Sequence, residues 1–279
     1  MQRKFLIWTL ATMAGLGFSA QPASAQSAPP GQIVQVNGID MHYREMGSGE
    51  PLLLLHGFGA CAADWGPIAE TLSQHYRVIV PDLRGHGWST NPANVFSMRQ
   101  SAEDIAALLD RLGLERVKAM GISAGGMTLL HLATRQPERI EAMVLIGATT
   151  YFPEQARQIM RGTRTDSLPP PVLAFFRTCA ARGEEQVGQL VGQFHNFKDS
   201  YEDMTFTRPT LGRIRARTLI VHGDRDEFFP VSIPVEMYQA IPGSELWIVP
   251  RGDHVPIYEG RTPEFLRVTQ AFLANAPDR

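Results

Sequence analysis

From residue 32 onward, short apolar runs alternate with stretches whose apolar positions recur at helical spacing. Residues 33–36 and 39–43 flank Asn37-Gly38, a dipeptide suited to the two positive-φ positions of a tight hairpin. Residues 52–55 are apolar at every position, as a strand covered on both faces should be. Further β-rich runs at 78–80, 117–120, 142–146, 218–221 and 246–249 complete a set of eight strands. Between them, helical patterns cover about 63–73, 101–112, 127–133 and 263–273; in the second, Ile105, Leu108, Leu109 and Leu112 form one face. Strands alternating with helices predict an α/β fold: a mostly parallel eight-stranded sheet flanked by helices, with an antiparallel start.

The rhythm breaks between 150 and 212. Here a Pro169-Pro170-Pro171 cluster separates the flanking sequence from two helical faces. One carries Val172, Phe175, Phe176 and Cys179; the other carries Val187, Leu190, Val191 and Phe194. With no strand between them to extend the sheet, 150–212 is expected to be a helical cap inserted into a core made of 26–149 and 213–279.

The first 25 residues read differently. Arg3 and Lys4 precede an apolar run over 5–18, and Ala23-Ser24-Ala25 offers the small-residue pattern cut by signal peptidase. The run falls short of the ~20 residues needed to span a bilayer. Residues 1–25 are therefore expected to be a cleaved signal peptide, leaving an exported chain, periplasmic or extracellular, with no stable membrane anchor. The whole chain has a formal charge of −2, and losing Arg3 and Lys4 leaves −4. That mild acidity, without a basic run, argues against a nucleic-acid partner. Two cysteines remain, Cys61 and Cys179. An oxidising compartment permits a disulfide between them, although sequence sets no distance. No Cys/His spacing suggests a metal site.

Candidate chemistry gathers at strand ends. Gly121-Ile122-Ser123-Ala124-Gly125 follows an apolar strand and opens a helix, the context that makes G-x-S-x-G a nucleophile elbow. A serine hydroxyl needs a base within hydrogen-bond reach. Of the histidines, His254 sits in Gly252-Asp253-His254 after the final strand, at the carboxyl edge where open α/β sheets place ligands. His42, His75, His131 and His195 fall inside elements or at a helix end and default to structural roles. The base needs a buried carboxylate to fix its tautomer. Gly223-Asp224-Arg225-Asp226 offers two, in the chain order Ser…Asp…His.

Together these motifs resemble the α/β-hydrolase superfamily over essentially the whole chain after the leader. His56-Gly57-Phe58-Gly59 is similar to its HG turn, and Asp82-Leu83-Arg84-Gly85-His86-Gly87-Trp88-Ser89 to its D-x-R-G-x-G-x-S loop. The G-x-x-D acid turn assigns the acid to Asp226 rather than Asp224. The resemblance implies Ser123 as nucleophile, His254 as base, Asp226 as acid, and an oxyanion hole from the backbone N–H groups of Phe58 and Ala124. It makes His56 and His86 scaffold residues, and implies no cofactor or metal. The expected function is hydrolysis of carboxylic esters, small to medium and apolar, through an acyl-enzyme. Lactonase and cofactor-free perhydrolase or haloperoxidase-like activity are alternatives on the same triad, with a non-catalytic ligand-binding member behind them. Tyr151, Phe152, Phe175, Phe176, Phe194 and Phe206 favour an apolar acyl or aryl group, but for most of them packing of the cap onto the core is the default reading. Natural substrate and oligomeric state are not encoded in these motifs.

Overall fold

The computed structural model describes residues 31–258 and 260–274, so the expected signal peptide lies outside the described residues. Eight strands form one sheet in the order β1-β2-β4-β3-β5-β6-β7-β8. They are β1 (Gln32–Val36), β2 (Ile39–Met46), β3 (Pro51–Leu55), β4 (Arg77–Pro81), β5 (Val117–Ile122), β6 (Ile140–Ile146), β7 (Arg217–Gly223) and β8 (Glu245–Val249). β2 runs antiparallel to both its neighbours, and every pairing from β4 through β8 is parallel. The opening hairpin turns at Asn37 (φ 43°) and Gly38 (φ 76°), the two positive values that its sequence predicts.

Alternation explains how the sheet is buried. In β3, Leu53 and Leu55 join one apolar cluster while Leu52 and Leu54 join the other, and all four are fully buried. Each such side chain stabilises the fold by about 1.5–3 kcal/mol relative to exposure. The first cluster is closed by α2 (Met98–Arg111), α3 (Ala124–Arg135) and α8 (Ser232–Ala240); the second by α1 (Gly66–Leu72) and α9 (Thr262–Ala274).

One expected helix needs correction, and another helix was not expected. The helix expected near 63–73 is split: a 3₁₀ turn, Ala62–Trp65, precedes α1, and Gly66 (φ 20°) breaks the two apart just before Pro67. α8 had no counterpart in the sequence reading, because Pro230 and Pro234 interrupt its apolar pattern.

Between β6 and β7 the chain runs through α4 (Glu154–Gly162), α5 (Pro170–Thr178), α6 (Glu184–Asn196) and α7 (Arg208–Leu211). α5 and α6 carry the two expected apolar faces, whose Val172, Phe176, Val187, Leu190 and Val191 pack together. Polar bonds fasten this segment down. Arg182 donates to the carbonyls of Ser89 and Gly85, and Gln186 to those of Gly85 and Gly87. Buried Arg157 donates to the carbonyls of Phe152, Phe197, Lys198 and Ser200 and lies on the Tyr201 ring. Asp203 accepts the first N–H groups of α2, from Met98 and Arg99. A disulfide joins Cys61 to Cys179 across 118 residues.

Candidate active site

β5 is buried throughout and delivers Ser123 to the start of α3 with φ 48° and ψ −113°. An L-residue held there stores roughly 1–3 kcal/mol of strain. Its two glycines are obligatory. A Cβ on Gly121 would lie 2.5 Å from the carbonyl carbon of Gly125, and one on Gly125 would lie 2.4 Å from the Leu55 oxygen. The Ser123 N–H donates to the Ile146 carbonyl (2.7 Å), tying the elbow to β6.

His254 reaches Ser123 from the loop after β8, with Nε2 2.9 Å from Oγ. Its Nδ1 lies 2.8 Å from Asp226 Oδ2. Asp226 Oδ1 accepts the N–H groups of Phe228 (2.7 Å) and Phe229 (3.0 Å), which fixes the carboxylate plane. Asp226 is buried while Asp224 is exposed, and of the two it is Asp226 that bonds His254. Burial works against charge on both groups. The pair nevertheless holds Asp226 below the usual carboxylate range, through the charge and hydrogen bond of His254. It holds His254 above the ordinary imidazole value, through Asp226 first and then Glu227 and Asp253. Phe228 and Phe229 pack against the His254 ring at 4.7 and 5.2 Å between centroids. Gly147 and Gly223 let this loop approach: a Cβ on either would lie 2.3 Å from the His254 oxygen or 2.1 Å from the Asp253 oxygen, respectively.

The HG turn lies beside the nucleophile, a Cβ on Gly57 falling 3.6 Å from Ser123 Cβ. His56 braces it, with Nδ1 donating to the Gly57 carbonyl (2.7 Å) and Nε2 accepting from the Leu83 N–H (2.9 Å). His86 Nδ1 donates to the Arg84 carbonyl, and burial pushes this imidazole down to about 3. Both are loop braces, as the motifs imply. Asp82 bonds His42 Nδ1 and the N–H groups of Ala62 and Trp88, joining β2 to both loops. His131 and His195 bond backbone carbonyls. Phe58 and Ala124 face the same cavity as Ser123, and Ala124 is the first residue of α3, where N–H groups have no intrahelical partner.

That cavity, about 220 Å³, is walled by Phe152, Phe175, Phe176, Phe194, Phe197 and Phe229. Four of the six aromatics singled out from sequence therefore face it, so cap packing is not their whole role; Tyr151 and Phe206 do not reach it. Its charged lining was not foreseen. Asp64, Glu227 and Asp253 face it alongside Arg261. Burial, with Asp82 nearby, pushes Asp64 up to about 6, and burial also raises Glu227. Cys61, Asp64 and Cys179 bring three potential ligand atoms within 4.8 Å. The two sulfurs are bonded to each other, however, which leaves one carboxylate and no metal centre. His222, passed over in the sequence, stands 3.5 Å from Asp226.

Comparison with known proteins agrees with this architecture. The family model described as alpha/beta hydrolase fold matches residues 50–205. The chain is 30% identical to a 2-hydroxy-6-oxo-2,4-heptadienoate hydrolase of Pseudomonas putida, over 89% of this chain and 98% of that one. It is also 30% identical to the human serine hydrolase BPHL, over 86% and 85%. A meta-cleavage product hydrolase from Pseudomonas fluorescens superposes with a TM-score of 0.74 at 24% identity, over 87% and 97% of the two chains. The chain belongs to the α/β-hydrolase fold family, as a hydrolase related to meta-cleavage product hydrolases and serine hydrolases.

Proposed function

We propose that this protein hydrolyses carboxylic esters of small to medium apolar substrates through an acyl-enzyme on Ser123. The observation that carries the reading is the continuous Ser123–His254–Asp226 hydrogen-bond line opening into an aromatic cavity. His254 Nε2 takes the hydroxyl proton as Ser123 Oγ bonds to the ester carbon. The carbonyl electron pair moves onto oxygen, received by the N–H groups of Phe58 and Ala124. The imidazolium, steadied by ionised Asp226, protonates the departing alkoxide. Water then attacks the acyl group, gives its proton to His254, and the acid leaves as Oγ regains a proton.

The cavity's charge supports a neutral ester over the substrate named for the first relative. A heptadienoate carries a carboxylate, and three acidic side chains face this cavity against Arg261 and His254. Bringing an anion into such a site costs free energy.

The test is release of nitrophenol from short-chain nitrophenyl esters, with parallel labelling by a fluorophosphonate. Ser123→Ala is expected to lower kcat by at least about 10³-fold and to abolish labelling. Folded wild-type protein that neither turns over nor labels would sink the proposal. A panel of esters, lactones and thioesters, with and without hydrogen peroxide, separates esterase from lactonase and perhydrolase by kcat/KM.

We also place the mature protein outside the cytoplasm. The basic, apolar and Ala-Ser-Ala segments of the leader support this, as does the pairing of Cys61 with Cys179, because disulfides persist in oxidising compartments. N-terminal sequencing of envelope and medium fractions is expected to find a chain starting near Gln26; an uncleaved cytoplasmic chain contradicts it.

A further inference from the structure

The carboxylate of Asp226 has about four acceptor directions. Oδ1 spends two on the N–H groups of Phe228 and Phe229, and Oδ2 spends one on His254 Nδ1. A second imidazole stands beside Oδ2, with His222 Nε2 3.5 Å away and not hydrogen-bonded to it. The same Nε2 lies 2.9 Å from the Phe229 carbonyl. A carbonyl only accepts, so Nε2 carries the hydrogen. Nδ1 is buried with no partner, so it holds the lone pair of a neutral ring.

We propose that His222 is a positioning residue for the triad, acting through Phe229 to hold Asp226 and His254 in register; this rests on the serine-hydrolase reading above. Phe229 is gripped twice, its N–H by Asp226 Oδ1 and its carbonyl by His222 Nε2. Its ring, with that of Phe228, bears on His254. Loss of the His222 donor frees the carbonyl side of this turn.

The ring must also stay neutral. Two imidazoles flank one carboxylate, and a charged His222 would compete with the His254 imidazolium that forms during turnover. Asp226 and His254 are the titratable groups facing His222; Asp226, Glu227 and Asp253 act on His254. Burial is the largest influence on His222 and favours its uncharged form.

His222→Met removes the donor at similar length, and His222→Gln keeps an N–H near the Nε2 position. His222→Met is expected to lower kcat and the fluorophosphonate labelling rate together, by about tenfold or more, with KM within about twofold. The acid limb of kcat/KM moves to lower pH, because loosening the turn weakens the Asp226 contact that holds His254 above the ordinary imidazole value. His222→Gln restores the rate to within about threefold of wild type. An unchanged rate and acid limb in His222→Met overturns the proposal, and so does a folded His222→Gln as slow as His222→Met. Histidine-selective ¹⁵N NMR of the wild type gives a check that needs no variant. His222 is expected as the neutral Nε2–H tautomer at and above about pH 6.5, while His254 titrates; a charged His222 in that range overturns the proposal. Wild type that fails to label removes the parent reading, and the inference with it. Labelling of wild type and His222→Met at equal rates removes the inference alone.

Discussion

Proton traffic through His254 sets the pH response of the proposed chemistry. The ring must be neutral to take the Ser123 proton, and Asp226, Glu227 and Asp253 together hold it above the ordinary imidazole value against the opposing effect of burial. Activity should therefore fall as pH drops, with the acid limb of kcat/KM lying above about 6.5. A limb below that value would mean that the Asp226 contact is weaker in solution. Asp64 behaves in the opposite sense to a salt-bridged acid. Burial raises it to about 6, so stability is lost as pH rises from about 4 to about 6; the cost is full above that window and absent below it. Asp64→Asn is expected to raise Tm at pH 8, by roughly 2–4 °C for each kcal/mol relieved, and to leave it unchanged near pH 4. Thermal melts at the two pH values check this. Ser123, Asp226 and His254 were legible in the sequence because each follows a strand, in a turn with a glycine two or three residues away. Asp64 and His222 were not. Asp64 sits in a 3₁₀ turn and His222 at a strand end, so no local pattern marks the partner that the fold gives them.

Helices and strands were legible to the extent that periodicity governed them. The leucines of β3 divide between two cores, as a strand apolar at every position must. α8 was lost behind its prolines, and α4 and α7 were hidden in a segment where only α5 and α6 have long apolar faces. The Cys61–Cys179 bond was beyond reach because it joins residues that only the tertiary fold brings to a Cα separation of 5.6 Å. Its position matters for α5. Cys179 ends that helix, whose Phe175 and Phe176 press on Gly59, which follows Phe58 in the HG turn. Replacing both cysteines by serine is expected to lower stability by about 2–4 kcal/mol. It should also raise KM for bulky acyl groups more than it lowers kcat. A dithiol reductant acting on wild type should reproduce both changes, by taking up the bond as its own disulfide and leaving two thiols. Melts and kcat, KM pairs that do not move would deny α5 this anchor.

At the scale of the whole molecule, the acyl cavity belongs to no single stretch of chain. Its walls come from the HG turn, α3, α4, α5, α6, the acid turn and the histidine loop. For that reason the triad could be read from motifs while the substrate could not: shape and charge in the cavity arise from side chains more than a hundred residues apart. The acidic bias of the lining became visible only once those segments were brought together. It bears directly on which ester is taken. Esters of neutral acids should be turned over with a higher kcat/KM than isosteres carrying a free carboxylate, and added salt should narrow the gap by screening. Equal rates for the two series at low salt would set the electrostatic argument aside.

The fastening of α4–α6, by Arg157, Arg182, Gln186 and the disulfide, has one more consequence. A chamber roofed this firmly selects by outline rather than by wrapping around its guest. Stiff, preorganised inhibitors that match its contour will outbind supple ones of equal apolar area, since neither partner then surrenders much internal freedom on association.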